Sequence, residues 1–230
     1  MENSPFYIKV IFGIITILAI FIFYKASGKS RKILLILLVW LLLQTVISST
    51  GFYSITRTIP PRFLLAVIPP LLLIICLFIT ERGKRFIDTL DIKLLTILHV
   101  IRIPIEIVLL LLFLDKTVPQ LMTFEGRNFD ILSGLTAPVI YYLVFIKKKL
   151  SRKALLVWNF FCLGLLVNIV VIAILSAPFT FQRLAFDQPN IAVLYFPFIW
   201  LPSCVVPLVL FSHLASIRQL LSGNTGLLYR

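Results

Sequence analysis

Seven apolar stretches, at roughly residues 5–24, 33–53, 63–80, 92–114, 131–146, 154–175 and 191–213, constrain this chain more than any other feature. Most reach the ~17–25 residues that a bilayer core demands of a helix. The fifth is the shortest at 16 residues, and it is expected to draw on its flanks. Hydrophobic residues make up 60% of the chain and charged residues only 13%, with a mean hydropathy of +1.06. Soluble domains carry about 25% charged residues, so the composition points to a lipid bilayer as the chief partner. No connection between the stretches is long enough for a soluble domain. Lipid forces each backbone polar group to be satisfied within its own segment, so residues 1–230 are expected to form one all-α bundle of seven transmembrane helices.

The net charge of +13 would suit a nucleic-acid partner if the basic residues shared a face, but they alternate by loop instead. One side collects 15 Lys and Arg, in the connections after segments one, three and five and in the tail; the other has six: Lys9, Arg57, Arg62, Lys116, Arg127 and Arg183. The positive-inside rule then places the N-terminus outside and the C-terminus in the cytoplasm, in a plasma or inner membrane. The first segment lacks a small-residue cleavage site and is followed at once by "KASGKSRK", so it is expected to be retained as a helix. Cys76, Cys162 and Cys204 lie in apolar segments without paired spacing and read as packing residues.

No Walker loop, dinucleotide fingerprint, HExxH or CxxC occurs, so nucleotide hydrolysis and the common zinc chemistries lack a motif, and no cofactor is specified. His99 and His213 are the two histidines. Counted from the cytoplasmic ends at 1.5 Å per residue, His99 lies roughly 10 Å deep and His213 near the boundary. That mismatch opposes a bis-histidine haem. His213 is expected instead to open a short interfacial amphipathic stretch, "SHLASIRQLL".

The polar chemistry concentrates in segment four, where "HVIRIPIE" (99–106) interrupts an aliphatic run. Thr96, His99, Arg102 and Glu106 fall within one stripe of about 120° on a helix, and Arg102 and Glu106 stand at the i, i+4 spacing at which side chains meet. A charge at a helix centre costs roughly 2.5–3.5 kcal/mol, which the aliphatic residues of the segment offset. Intramembrane ionisable residues face a bundle interior or a watery cavity and mark a functional site by default. Pro104 stands between the two charges, withholds a backbone N–H and loosens the ladder near residue 100. Depth matching adds Gln44 of segment two and Asn168 of segment six, with Asn159 level with His99. The polar loop "TFEGRNFD" supplies Glu125, Arg127, Asn128 and Asp130, which with "FQRLAFDQPN" (181–190) are expected to form an outer vestibule.

"SRKILLILLVW" (30–40) is echoed by "SRKALLVW" (151–158), and "PRFLLAVIP" (61–69) by "PNIAVLYFP" (189–197). The echo implies parallel repeats around segment four, an arrangement similar to small sugar transporters of the PQ-loop kind. The chain departs from that pattern in that its one Pro-Gln pair, Pro119–Gln120, falls in a loop.

The leading expectation is a small-molecule-binding membrane protein, transporter-like or sensor-like. Arg102 would meet a small polar or anionic ligand, Glu106 would balance charge or accept a proton, and His99 would orient or relay. Two other classes stay open. One is an intramembrane enzyme or a metal or haem site using His99 and Glu106; the other is an assembly protein with a buried structural ion pair.

Overall fold

A computed structural model describes residues 5–222, and among them the chain is helical without strands. The main helices are α1 (Phe6–Ala26), α2 (Arg31–Ser49), α3 (Leu64–Ile79), α4 (Glu81–Thr89), α5 (Ile92–Leu98), α6 (Arg102–Leu114), α7 (Ile131–Tyr141), α8 (Arg152–Leu175) and α9 (Val206–Leu221). Five spans are long and apolar enough to cross a membrane: α1, α2, Ile92–Leu114, α8 and Leu201–Leu221. A sixth arises if α3 and α4, which meet at a 94° corner, are taken together, while Ile131–Ile146 is a shorter apolar helix. Seven crossings are therefore more than helix length and composition alone establish.

The exterior is the apolar side of this molecule. Leu42, Val157 and Phe161 are 64%, 67% and 58% exposed, while His99, Asn128 and His213 are fully buried. That inversion of the soluble pattern suits a multi-pass membrane protein.

Segment four is the hub. Its two halves, α5 and α6, both pack against α1 and α7, and α5 also packs against α9. They are joined by a 3-10 turn at His99–Ile101, just ahead of Pro104, where the missing proline N–H leaves the helical ladder short of a bond. α2 stands at the edge with Leu41, Gln44 and Ser48 as its buried residues. Two tryptophans tie it in: Trp40 Nε1 donates to the Ser203 carbonyl (2.8 Å), and Trp200 Nε1 to the Leu41 carbonyl and Thr45 Oγ1 (3.2 Å each).

The last span departs from the expected 191–213. Residues 192–194 form a 3-10 turn, Tyr195 is extended, and the helix begins only at Leu201. Pro197 forces its predecessor out of the helical region, and Pro202 then sits in the first turn, where its missing N–H is an orphan anyway. At the other end the helix continues to Leu221, because α4 lies across it. Arg218 makes a bidentate ion pair with Asp88 (3.1 Å each), and Gln219 Nε2 donates to the carbonyls of Ile87 (2.6 Å) and Leu90 (2.9 Å). α4 presents Glu81, Arg82 and Arg85 outward and buries Ile87, the layout of an interfacial helix. The shift of about two turns carries His213 inward. It is fully buried in mid-helix, and the boundary position expected for it is corrected.

Candidate functional site

Gly134 determines how the site assembles. A Cβ there would lie 2.8 Å from Ile103 Cγ1 and 3.0 Å from Ile103 N, so α7 crosses segment four almost backbone to backbone beside Arg102. Asp130, one turn earlier at the N-cap of α7, is thereby delivered to the charged stripe. Gly126 does the same for the preceding loop, since any side chain there would overlap the Gln120 carbonyl. The loop folds inward, and Asn128 Oδ1 accepts from the Asp130 backbone N–H (3.0 Å). Asn128 Nδ2 then lies 2.7 Å from each Glu106 carboxylate oxygen and 2.9 Å from the Met122 carbonyl.

Arg102 is 2% exposed. Its Nε lies 2.9 Å from Asp130 Oδ2, although the N–H is not aimed along that line, and its Nη1 lies 3.2 Å from His213 Nε2. Among the described residues its ion-pair partner is Asp130, not Glu106 one turn along the same helix. A guanidinium only donates, so His213 Nε2 must accept and the ring carries its proton on Nδ1. That N–H donates to Asn159 Oδ1 (2.9 Å), and Asn159 Nδ2 in turn donates to the Leu155 carbonyl (2.9 Å). His99 stacks on His213 with centroids 3.8 Å apart and planes 13° from parallel, and Trp158 meets it edge-on at 5.6 Å. Among the described residues, neither His99 ring nitrogen has a hydrogen-bond partner.

The stripe read from sequence therefore comes together with residues from other elements, but not with all those matched by depth. Gln44 lies apart; it accepts from the Tyr53 hydroxyl (2.7 Å), whose burial holds the phenol above its ordinary pKa. Asn168 donates to the Arg127 carbonyl (2.9 Å) on the exposed side of α8. Glu125 and Arg127 are exposed, whereas Asn128 and Asp130 are fully or almost fully buried, so the expected vestibule divides in two. The depth mismatch argued against paired histidines does not exist, but rings in face-to-face contact leave no space for a metal or haem between them. Among the described residues no group of three His, Cys, Asp or Glu is placed to hold a metal.

A cavity of about 200 Å³ opens on this cluster, with Arg102, Glu106 and Asp130 at one end. Its walls are apolar: Leu64 and Val67 of α3, Ile169 and Ala173 of α8, and Val205 and Val209 around the start of α9. Phe179, Phe181 and Asn190 cover it at the end where α6 finishes. That cover is fastened by Gln188 Nε2, which donates to the carbonyls of Val118 (2.6 Å) and Phe113 (2.9 Å). His99 is not among the lining residues. Among the described residues, Arg102 Nη2, Asp130 Oδ1 and Asn190 Oδ1 on the lining residues have neither a hydrogen bond nor an ion-pair contact and are unspent. Buried polar groups are otherwise almost always paired.

Charge decides what the cluster can hold. Two carboxyls surround one guanidinium, and Asp130 already balances Arg102. Arg102 was expected to meet a small polar or anionic ligand; the group it meets within the chain is the Asp130 carboxylate.

Asp130, Asn128 and His213 entered the site from a loop and a span end that hydropathy assigns to the boundary. The usable signals were Gly134 one turn after Asp130, and a helical apolar pattern continuing past His213 to Leu221.

The family model of a domain of unknown function (DUF8737) matches residues 59–221, which include every residue of this cluster. No curated protein and no solved structure matches the chain.

Proposed function

Because the chain belongs to the DUF8737 family, whose description assigns no activity, we propose its function from the geometry: it binds a small amphiphilic molecule in the cavity that ends on Arg102, Asp130 and Glu106. The observation that carries this reading is the combination of apolar walls with unspent polar atoms on the lining residues. A cavity of about 150 Å³ lined only by apolar side chains stays dry and takes up benzene. This one is somewhat larger and adds hydrogen-bonding groups, which suits a ring-sized apolar body with one polar head.

The binding site belongs, on this reading, to a bundle of seven crossings with its N-terminus outside. The loop charge bias of 15 to six supports that orientation, and the alternation of basic loops supports the parity. Ile131–Ile146 is then the fifth crossing, ended by Lys147, Lys148 and Lys149. The cavity lies on the outer side of the His99–His213 stack.

Native mass spectrometry of the protein released from its own membranes tests this. The wild-type chain is expected to carry a small adduct of fixed mass. Ala173→Phe, which fills the cavity from an apolar wall without touching the charged cluster, is expected to fold and lose it. An adduct that persists in this variant, or a wild-type chain with none, contradicts the reading.

A further inference from the structure

The two carboxyls at the cavity end are not equivalent. Asp130 lies against Arg102, whereas the hydrogen-bond partner of Glu106 is the neutral Asn128 amide. The charged groups that line the same cavity are Asp130, itself a carboxyl, and Arg102, whose charge Asp130 already meets.

Among the described residues, the 176–200 stretch that also lines the cavity carries Arg183 and Asp187, both exposed. α3 contributes Cys76 as its one titratable residue, and α8 faces the cluster with Cys162. α9 contributes His213, whose acceptor nitrogen is spent on Arg102, and behind it lies His99. The titratable residues of α1, including Lys9 and Lys25, lie in its first and last turns, away from its middle. On the inward-folded loop, Glu125 and Arg127 are exposed. A carboxylate so placed at the wall of an apolar cavity needs a positive charge from outside the chain: a proton when the cavity is empty, or a cationic head when it is filled.

We propose that the cavity is a cation site: a ring-sized amphiphile with an ammonium head binds with its charge on Glu106, in exchange for a proton. The exchange balances, since the protonated acid and the ammonium ion give a carboxylate–ammonium pair and one released proton. The ammonium donates to Glu106 and to the unspent Asp130 Oδ1, and the apolar body lies along Ala173 and Val205. The proposal rests on the binding reading above and adds the ligand's charge and the proton linkage.

Isothermal titration of the full chain in lipid nanodiscs with benzylammonium, benzyl alcohol and benzoate, three probes of one shape and different charge, separates the possibilities. Benzylammonium is expected to bind best, with an affinity that rises up to about tenfold per pH unit and a buffer-dependent heat from one released proton. Glu106→Gln, which keeps an acceptor for Asn128, is expected to lose the pH dependence and bind benzylammonium at least about tenfold more weakly. Asp130→Asn, which frees Arg102 to balance Glu106, is expected to lose the cation preference.

Equal binding of all three probes, a preference of the native chain for benzoate, or a cation affinity flat with pH overturns the cation assignment and leaves the binding reading standing. Failure of all three probes to bind overturns the binding reading itself. If Glu106→Gln does not fold, the pH slope of the native chain and the behaviour of Asp130→Asn decide.

Discussion

Arg102 meets one carboxylate and one imidazole and keeps a guanidinium nitrogen in reserve, and this distribution determines what its loss does to the fold. Arg102→Ala leaves Asp130 buried without a counter-charge and is expected to cost about 3–5 kcal/mol of unfolding free energy. Asp130→Ala is expected to cost a similar amount for the mirror reason. The double variant should be more stable than the sum of the two losses implies, by at least about 1 kcal/mol, because neither orphan remains. Additive losses in chemical unfolding would mean that the two residues do not depend on each other. His99, Arg102 and Glu106 were legible from sequence because charge and imidazole stand out in an aliphatic run. Their partners were not. Asp130 and Asn128 occupy a loop that looks solvated by composition, and only its inward fold over Gly126 buries them.

At the level of elements, the crossing of α7 over segment four controls the site from one position. Gly134→Val places side-chain atoms against the Ile103 backbone, so α7 must retreat and take Asp130 with it. The expected cost is about 1–3 kcal/mol in unfolding free energy, together with a weakened Arg102–Asp130 coupling in the same double-variant measurement. A variant as stable as wild type, with the coupling intact, would contradict this account of the crossing. Helix limits were legible where apolar runs end in basic clusters: α1, α8 and the Ile92–Leu114 span lie within two residues of their expected ends. The last span was not. Hydropathy counts Ala192 to Phe198 as membrane residues, but Pro197 bars them from the helix. The true helix end is hidden because its polar residues, Arg218 and Gln219, are satisfied by α4 rather than by water.

For the whole molecule, topology and the purpose of the charged cluster are separate questions with separate tests. A membrane-impermeant maleimide on intact cells is expected to label Glu125→Cys directly and Lys149→Cys only after permeabilisation. The reverse result inverts the orientation, and labelling of both from one side would mean that Ile131–Ile146 does not cross. The class of the protein was legible because a bilayer imposes length and polarity on every segment at once. The cavity was not, because it depends on how α3, α8 and the 176–200 stretch stand apart, and no periodicity encodes a gap. What separates a ligand site from a structural tie is whether the fold needs its buried charges. Buried ion pairs can often be exchanged for apolar side chains of similar volume with no loss of stability, or a gain of about 1–4 kcal/mol. The deciding measurement is the unfolding free energy of the triple variant Arg102→Met, Asp130→Leu, Glu106→Gln. A charged cluster kept for a ligand predicts a variant at least as stable as wild type that has lost its small-molecule adduct. A loss of about 3 kcal/mol or more would instead make the cluster a tie that the fold requires.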